Sequence, residues 1–140
     1  MWDIRQFTFE DIAWINVLLK QLSENAPRVS KKDLINIVKK GGEICLARDP
    51  DSKKIIAIAT LIVFDTLMGK MGRIEDVVVD DRHRGKGYGK KLVLSLIDKA
   101  RERGLKQIDL TSSPKRVAAN GLYQKLGFVK RETNVYRMVL

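Results

Sequence analysis

The most constraining feature of this sequence is a glycine-rich basic segment between a β-type run and an amphipathic helix. It reads Val-Asp-Asp-Arg-His-Arg-Gly-Lys-Gly-Tyr-Gly-Lys over residues 79–90. Backbone N–H groups at the start of a helix are unpaired, and the helix dipole favours an anion there. Glycines let the backbone approach a phosphate closely, and Lys and Arg side chains add charge-assisted hydrogen bonds. The segment therefore predicts a binding site for a diphosphate.

Two common nucleotide-binding loops do not fit this segment. A Walker A loop needs G-x-x-x-x-G-K-S/T, and no window here has that spacing. A Rossmann loop needs G-x-G-x-x-G within a βαβ unit, whereas this segment reads G-x-G-x-G and follows antiparallel-type strands. The spacing that fits is R/Q-x-x-G-x-G/A, from Arg84 through Gly87 to Gly89. A tight basic turn without a ligand is the alternative interpretation.

The pattern around the segment predicts one domain over residues 1–140, with an α/β (α+β mixed) fold. Capping boxes at Thr8–Asp11 and Ser30–Asp33 open the first two helices. We expect a mixed, mostly antiparallel sheet flanked by four helices. The predicted elements are a strand at 4–7, a helix to about Glu24, a helix from Ser30 to Gly41, strands at 43–48, 54–64 and 73–79, a helix closed by Gly104, a strand at 107–110, a helix from Ser113 and Pro114 to Gly127, and one or two closing strands in 128–140.

The charge of the chain favours anionic partners. Its 27 Lys and Arg against 17 Asp and Glu give a net charge of +10, which suits a phosphorylated cofactor, an anionic substrate or nucleic acid. Aromatic residues are only 6% of the chain and no RRM-type signature is present, which weakens the nucleic-acid hypothesis. One cysteine and one histidine argue against a metal centre and a Ser-His-Asp triad. With no leader pattern or membrane-length apolar run, we expect a cytoplasmic protein.

The loop spacing resembles the pyrophosphate loop of the GNAT superfamily of N-acetyltransferases, in its small single-domain form, and the element order matches the GNAT fold. The resemblance implies acetyl-CoA as co-substrate and direct attack of a primary amine in a ternary complex. It also implies a bulge in the strand before the loop, a splay from the 107–110 strand, and a backbone N–H near Val78 facing the thioester oxygen. The implied cofactor-binding residues are Val77, Val78, Val79, Arg84, Gly85, Lys86, Gly87, Tyr88, Gly89, Lys90, Asn120 and Tyr123.

A second stretch, residues 120–128, resembles the family motif N-x-x-x/F-Y-x-K-x-G-F/Y. Asn120 and Tyr123 are three residues apart on a predicted helix and share a face. A tyrosine with an ordinary pKa of about 10 stays protonated at neutral pH and can donate its proton to a leaving thiolate. Tyr123 is therefore the candidate general acid, and a half-buried core tyrosine is the alternative. Gly121 within the helix indicates close packing or a ligand nearby.

Two adjacent carboxylates, Glu75 and Asp76, lie in an apolar strand. Strand alternation predicts opposite faces for them, with Glu75 on the side of Val77 and Val79. Glu75 is the candidate base for the amine, and ion pairing with Arg73 or Lys70 is the alternative, which is slightly favoured for Asp76. The Ile-Glu-Asp triplet resembles the glucosamine-phosphate N-acetyltransferase branch. Histone-type members have a glutamate where this chain has Arg73, which weakens a histone acetyltransferase assignment.

The acceptor and the assembly stay open at this point. A protein amine, amino sugar, polyamine, amino acid or antibiotic would all fit, and an acyl-CoA-binding module without turnover is a further alternative. The resemblance suggests a homodimer through the closing strands, and Tyr136 and Arg137 are candidates to line the acceptor site. We expect Cys45 to be an inert thiol and His83 a solvated loop residue.

Overall fold

Four helices and a mixed four-stranded sheet make up the part of the chain that this computed structural model describes, residues 6–140. The α/β fold with four helices predicted from the sequence is confirmed. A 3-10 turn lies at Asp81–His83. The helices and strands are α1 (Phe9–Leu22), α2 (Lys31–Lys39), β1 (Glu43–Arg48), β2 (Ile55–Thr66), β3 (Gly69–Val79), α3 (Tyr88–Glu102), β4 (Ile108–Asp109) and α4 (Val117–Lys125).

The chain divides into two compact units, one ending at Leu110 and one running from Thr111 to Leu140. The first contains the whole sheet and α1 to α3, and the second contains α4. The single domain over residues 1–140 stays a prediction. The strand predicted at 4–7 falls mainly outside the described residues, and the two that are described, Gln6 and Phe7, are not in a strand.

The sheet has the order β1-β2-β3-β4. The first two pairings are antiparallel and the last is parallel. β4 pairs with β3 at only two positions, Gly72 with Ile108 and Arg73 with Asp109. Beyond Arg73, therefore, β3 has no strand partner on that edge within residues 6–140.

β2 lies at the centre of the sheet and is buried from Ile55 to Leu61. On one face, Ile15 and Leu18 of α1 pack in one cluster with Ile58 of β2 and Val78 of β3. The other face is covered by α3, whose residues Leu92, Val93, Leu96, Ile97 and Ala100 are buried. Removal of this apolar surface from water is the main stabilising term of the first unit.

Both predicted capping boxes are present, and the first also holds a buried charge. Thr8 N–H donates to Asp11 Oδ2, and Asp11 N–H donates to Thr8 Oγ1. Asp11 is only 7% exposed, and its Oδ1 accepts a hydrogen bond of 2.6 Å from Arg48 Nη1. That bond is the main reason why the pKa of Asp11 lies below its ordinary value. The same carboxylate therefore starts α1 and joins it to β1.

The closing strands predicted in residues 128–140 are wrong for a single chain, because no residue of that segment is in a strand. A strand exists only when its backbone groups pair with another strand, and residues 128–140 pair with no strand of the described chain. Its apolar side chains are left exposed. They are Val129, Val135, Tyr136, Met138, Val139 and Leu140.

The predicted start of the last helix is also wrong. Ser113 O accepts a bond of 3.0 Å from Arg116 N–H, so Ser113 to Arg116 form a turn and α4 begins at Val117. The side chain of Asn120 reaches back and donates to the carbonyl oxygens of Ser113 and Arg116, at 2.9 Å each. Those bonds stabilise the turn in place of a first helical turn at Pro114.

Replacing Asp11 by Ala is expected to lower the free energy of unfolding by about 2 to 4 kcal/mol at pH 7, because it removes a helix cap and the carboxylate partner of Arg48. The pKa of Asp11 is lowered in the folded chain, so its stabilisation is present above the unfolded-state pKa and is lost as the pH falls through the folded value. Urea unfolding at pH 7 and pH 3 measures both effects. Asp33→Ala, which removes the exposed capping box of α2, is the matched control and should cost less. Equal losses for the two variants, or a loss for Asp11→Ala that does not shrink between pH 7 and pH 3, would contradict this account.

Candidate functional site

The glycine segment connects β3 to α3 through backbone conformations that favour glycine. Gly85 has a φ of 76° and Gly87 a φ of 84°, both in the left-handed region that other residues rarely adopt. α3 begins directly after Gly87, at Tyr88. A side-chain carbon built on either glycine would meet nothing within 4 Å. The glycines are therefore required by the path of the chain, and their backbone stays open to a ligand.

The electrostatics at this end of α3 favour an anion. The first turn of the helix contains no acidic residue, and its N–H groups have no partner within the helix. The basic side chains of Arg84, Lys86 and Lys90 are exposed around it. The positive end of the helix dipole adds to their charge. A diphosphate fits this combination of backbone donors and cations.

β3 has a bulge immediately before the glycine segment. Ile58 of β2 pairs with Val78, but Thr60 pairs with Glu75, so Asp76 and Val77 together face the single residue Ala59. Asp76 has a φ of 55°, in the left-handed region. The bulge implied by the family resemblance is therefore present, and it lies beyond the point where β4 stops pairing with β3. Bulges of this kind redirect side chains and backbone groups next to binding sites.

The register determines which backbone groups of β3 point to the open edge. Asp80 N–H donates to Ile56 O of β2 at 2.8 Å. Because successive residues of a strand point their backbone groups to opposite sides, Val78 also faces β2, while Val77 and Val79 face away from it. Val79 O accordingly accepts a bond of 3.1 Å from Arg84 Nε. The N–H group on the open edge near the bulge belongs to Val77 rather than to Val78, where the sequence analysis placed it.

The predicted faces of the two carboxylates are wrong, because the bulge interrupts the two-residue alternation. Glu75 pairs with Thr60 and Val78 pairs with Ile58, so Glu75 shares a face with Val78 and not with Val79. Glu75 also forms an ion pair with Arg73, two residues earlier on the same face. The ion-pair alternative considered for Glu75 is therefore present in the structure.

Asp76 lies at a cleft of about 300 Å³ formed with the end of α1 and the loop that follows it. Much of the residue is exposed at the cleft mouth. Burial of the carboxyl nevertheless raises the pKa of Asp76, and the nearby negative charge of Glu75 raises it further. A carboxylate with a raised pKa is a stronger base than an ordinary one. The other residues of the cleft are Leu19, Leu22, Ser23, Asn25, Ala26, Pro27 and Val29.

Tyr123, the predicted acid, is a buried residue of the second unit with 9% exposure. Its ring makes an edge-on contact with Phe128 at 5.9 Å between centroids, and Phe128 N–H donates to Tyr123 O as the chain turns at Gly127. Burial raises the pKa of Tyr123, and the positive charge of Arg116 offsets part of that rise. The phenol therefore keeps its proton. Gly121 has open space beside it, so close packing within the chain does not explain this glycine.

No sequence pattern indicated Gln21, and the solvated loop position predicted for His83 is wrong. Gln21 of α1 donates from Nε2 to Asp80 Oδ1 at 2.8 Å and accepts from Asp81 N–H at 2.9 Å. His83 is 25% exposed, with its Nδ1 2.7 Å from Asp80 Oδ2, so it is not a solvated loop residue. Gln21 and Asp80 are 59 positions apart, and no local pattern connects them.

Cys45 is half-buried with its Sγ 3.5 Å from Ser95 Oγ, and burial raises the pKa of its thiol, as expected for an inert cysteine. Within residues 6–140, no three His, Cys, Asp or Glu side chains are grouped to hold a metal ion. In the same range, none of the helices combines the length and the apolar character that a membrane span requires.

Comparisons with known proteins agree with this geometry. A sequence profile described as the acetyltransferase (GNAT) family matches residues 11–128. The chain is 33% identical to a glucosamine 6-phosphate N-acetyltransferase of Trypanosoma brucei brucei, over 93% of this chain and 90% of that protein. It is 32% identical to glucosamine 6-phosphate N-acetyltransferase 1 of rice over 66% of this chain, but the match spans only 56% of the rice protein. The solved structure of the Arabidopsis thaliana glucosamine-6-phosphate N-acetyltransferase superposes with a TM-score of 0.80 at 28% identity, covering 98% of this chain and 94% of that one.

Proposed function

Because this chain belongs to the acetyltransferase (GNAT) family, we propose that it moves the acetyl group of acetyl-CoA onto a primary amine of a small molecule, by direct attack in a ternary complex. The family predicted from the sequence is confirmed, and its relatives are named as N-acetyltransferases. The observation that carries the proposal is the β3 bulge. The bulge lies where β3 has no strand partner on its other edge within residues 6–140, directly before a basic, glycine-containing helix start.

The cofactor would lie along this edge, with its diphosphate on the glycine segment. Backbone N–H groups at the start of α3 and the side chains of Arg84, Lys86 and Lys90 supply the donors. The pantetheine arm would then follow β3, where Val77 and Val79 direct their backbone groups away from β2. An extended chain lying along a free strand edge is a recurrent mode of recognition.

The reaction needs three groups from the protein. The amine nitrogen attacks the thioester carbonyl carbon, and the negative charge that develops on the carbonyl oxygen is stabilised by a backbone N–H, which we assign to Val77. The C–S bond breaks, and the leaving thiolate takes a proton. We assign that proton to Tyr123 from its sequence motif, and its phenol is protonated before transfer because burial raises its pKa. A carboxylate takes the proton that the amine loses.

We assign this proton acceptor to the carboxylate pair on β3, and within the pair to Asp76 first. Its carboxyl lies at the cleft and has a raised pKa, whereas the carboxylate of Glu75 is occupied by Arg73. Glu75, the first choice from sequence, stays as the second candidate. If Asp76 is the base, the negative charge of Glu75 still has a role, because it raises the pKa of Asp76.

The cleft beside Asp76 is the proposed acceptor site, and glucosamine 6-phosphate is the first acceptor to test, because relatives that cover most of this chain are named for it. We also propose that the chain is cytoplasmic and forms a homodimer. The exposed apolar residues of 128–140 would then pair as strands with a second copy.

Thiol release tests the activity. Incubation with acetyl-CoA and glucosamine 6-phosphate, or with a panel of amino sugars, polyamines and amino acids, should release free CoA thiol in proportion to the amine added. The reaction without amine is the control. Calorimetric CoA binding with no amine-dependent thiol release would contradict the proposal and would favour an acyl-CoA-binding module without turnover.

Asp76→Asn and Glu75→Gln distinguish the two candidate bases. Asn is isosteric and tolerates the positive φ at position 76, so the bulge should persist. A base must be ionised, so the wild-type rate should rise with pH through the raised pKa of Asp76. We expect Asp76→Asn to lower kcat/KM by about 100-fold and to remove this pH-dependent rise. Glu75→Gln should lose less than about tenfold, and the reverse order would assign the base to Glu75.

Replacing Tyr123 by Phe tests the acid. The ring and its contact with Phe128 remain, so folding should not change. We expect kcat to fall by about 100-fold, because the thiolate then leaves without a proton. Stopped-flow thiol release at saturating acetyl-CoA measures this step. An unchanged kcat would remove Tyr123 from the mechanism.

A further inference from the structure

We infer that Gln21, on α1, is a positioning residue for the glycine segment and sets the affinity of the chain for CoA. The inference rests on the proposed function in one respect, that the diphosphate binds the glycine segment. Gln21 itself contacts neither the glycines nor the start of α3, since its side chain bonds to Asp80 and Asp81. Its effect on the cofactor therefore passes through the residues that lead from β3 into the loop.

Both the nitrogen and the oxygen of the Gln21 side-chain amide form hydrogen bonds. Its Nε2 donates to Asp80 Oδ1 at 2.8 Å, and its Oε1 accepts from Asp81 N–H at 2.9 Å. Asp81 is the first residue of the 3-10 turn, so its N–H would otherwise lack a partner in that turn. A helix five elements earlier in the chain thus supplies the cap for the turn that opens the glycine segment.

Asp80 connects this contact to the sheet and to the loop. Its N–H donates to Ile56 O of β2 at 2.8 Å, and its second carboxylate oxygen is 2.7 Å from His83 Nδ1. His83 N–H also donates to Asp80 O at 2.8 Å. The hydrogen bonds from Gln21 and His83 keep the pKa of Asp80 below its ordinary value, although burial opposes them. The backbone that leads from β3 into the glycine segment is therefore tied to α1, β2 and the 3-10 turn at once.

The glycine segment has few other contacts to hold its position. Nothing lies within 4 Å of the side-chain position of Gly85 or Gly87, and Arg84 and Lys86 are exposed. The next strongly buried residues are Leu92 and Val93, more than one turn into α3. If the cap from Gln21 is lost, the segment samples more conformations, and a ligand must order it on binding at a cost in affinity.

The same helix provides a matched control in Asn16. Its Nδ2 donates to Val29 O at 3.0 Å, and its Oδ1 accepts from Val29 N–H at 2.8 Å. Val29 lies in the loop that lines the proposed acceptor cleft, not in the glycine segment. α1 therefore holds the two loops through two separate side-chain amides. Truncation of either removes the pair of hydrogen bonds that joins α1 to a loop, and Asn16 also donates to Ile12 O within the helix at 2.9 Å. Only Gln21 contacts the chain that leads into the glycine segment.

Calorimetric titration of CoA into the full chain tests the inference, using wild type, Gln21→Ala, Gln21→Glu and Asn16→Ala. Gln21→Ala should bind CoA about tenfold more weakly, as expected for the loss of two hydrogen bonds. Gln21→Glu should bind still more weakly, because a second carboxylate then faces Asp80. If Gln21 only filled space, Gln21→Glu would bind CoA more tightly than Gln21→Ala, because Glu keeps the volume of Gln. Asn16→Ala should stay within about twofold of wild type.

Hydrogen exchange on the same proteins without ligand gives a second readout. Amides of residues 80–87 should exchange faster in Gln21→Ala and Gln21→Glu than in wild type, while those of central β2 should not change. If wild type binds CoA and both Gln21 variants bind equally well, this inference is wrong and the proposed function stands. Equal weakening by Gln21→Ala and Asn16→Ala would show a general loosening of α1 and would also overturn it. Wild type without affinity for CoA would overturn both proposals.

Discussion

One extra residue in β3 determines most of the geometry of the site. Between Val78 and Glu75 the strand contains two residues opposite Ala59, where regular pairing would place one. The alternation of faces is shifted by this insertion, so Glu75 and Val78 lie on the same side of the sheet. At the extra residue, Asp76 adopts a left-handed backbone conformation. Asp76 also lies at the cleft beside α1. The acceptor side of the proposed reaction therefore depends on a local defect in strand pairing.

The cofactor side depends on the other edge of β3, where β4 ends. β4 stops pairing with β3 at Arg73, so the backbone of β3 beyond that point has an unpaired edge within the described chain. Val77 and Val79 point towards that edge, and the glycine segment follows within a few residues. The pantetheine arm of CoA is extended, carries hydrogen-bonding groups and ends in a charged diphosphate. The free edge of β3 and the glycine segment follow each other along the chain in the same order. The edge binds the arm, and the start of α3 binds the anion.

Features that depend only on neighbouring residues were predicted correctly from the sequence. The two capping boxes, the glycine segment and the turn at Gly127 all formed as expected, because each depends on residues only a few positions apart. The faces of Glu75 and Asp76 could not be read from strand alternation, because a bulge depends on the pairing of two strands. The contact between Gln21 and Asp80 spans 59 positions, and only the assembled fold brings them together. The closing strands predicted in residues 128–140 are absent for a third reason, because a strand forms only by pairing with another strand, and the segment's own residues do not specify that partner.

A crystal structure of the chain with acetyl-CoA tests the central claim most directly. The account predicts that the diphosphate binds the N–H groups at the start of α3, with Arg84 and Lys86 around it. It also predicts that the pantetheine arm accepts and donates hydrogen bonds at Val77 and Val79, with the thioester oxygen at Val77 N–H. The coenzyme bound elsewhere on the protein, or no bound coenzyme at saturating concentration, would contradict it.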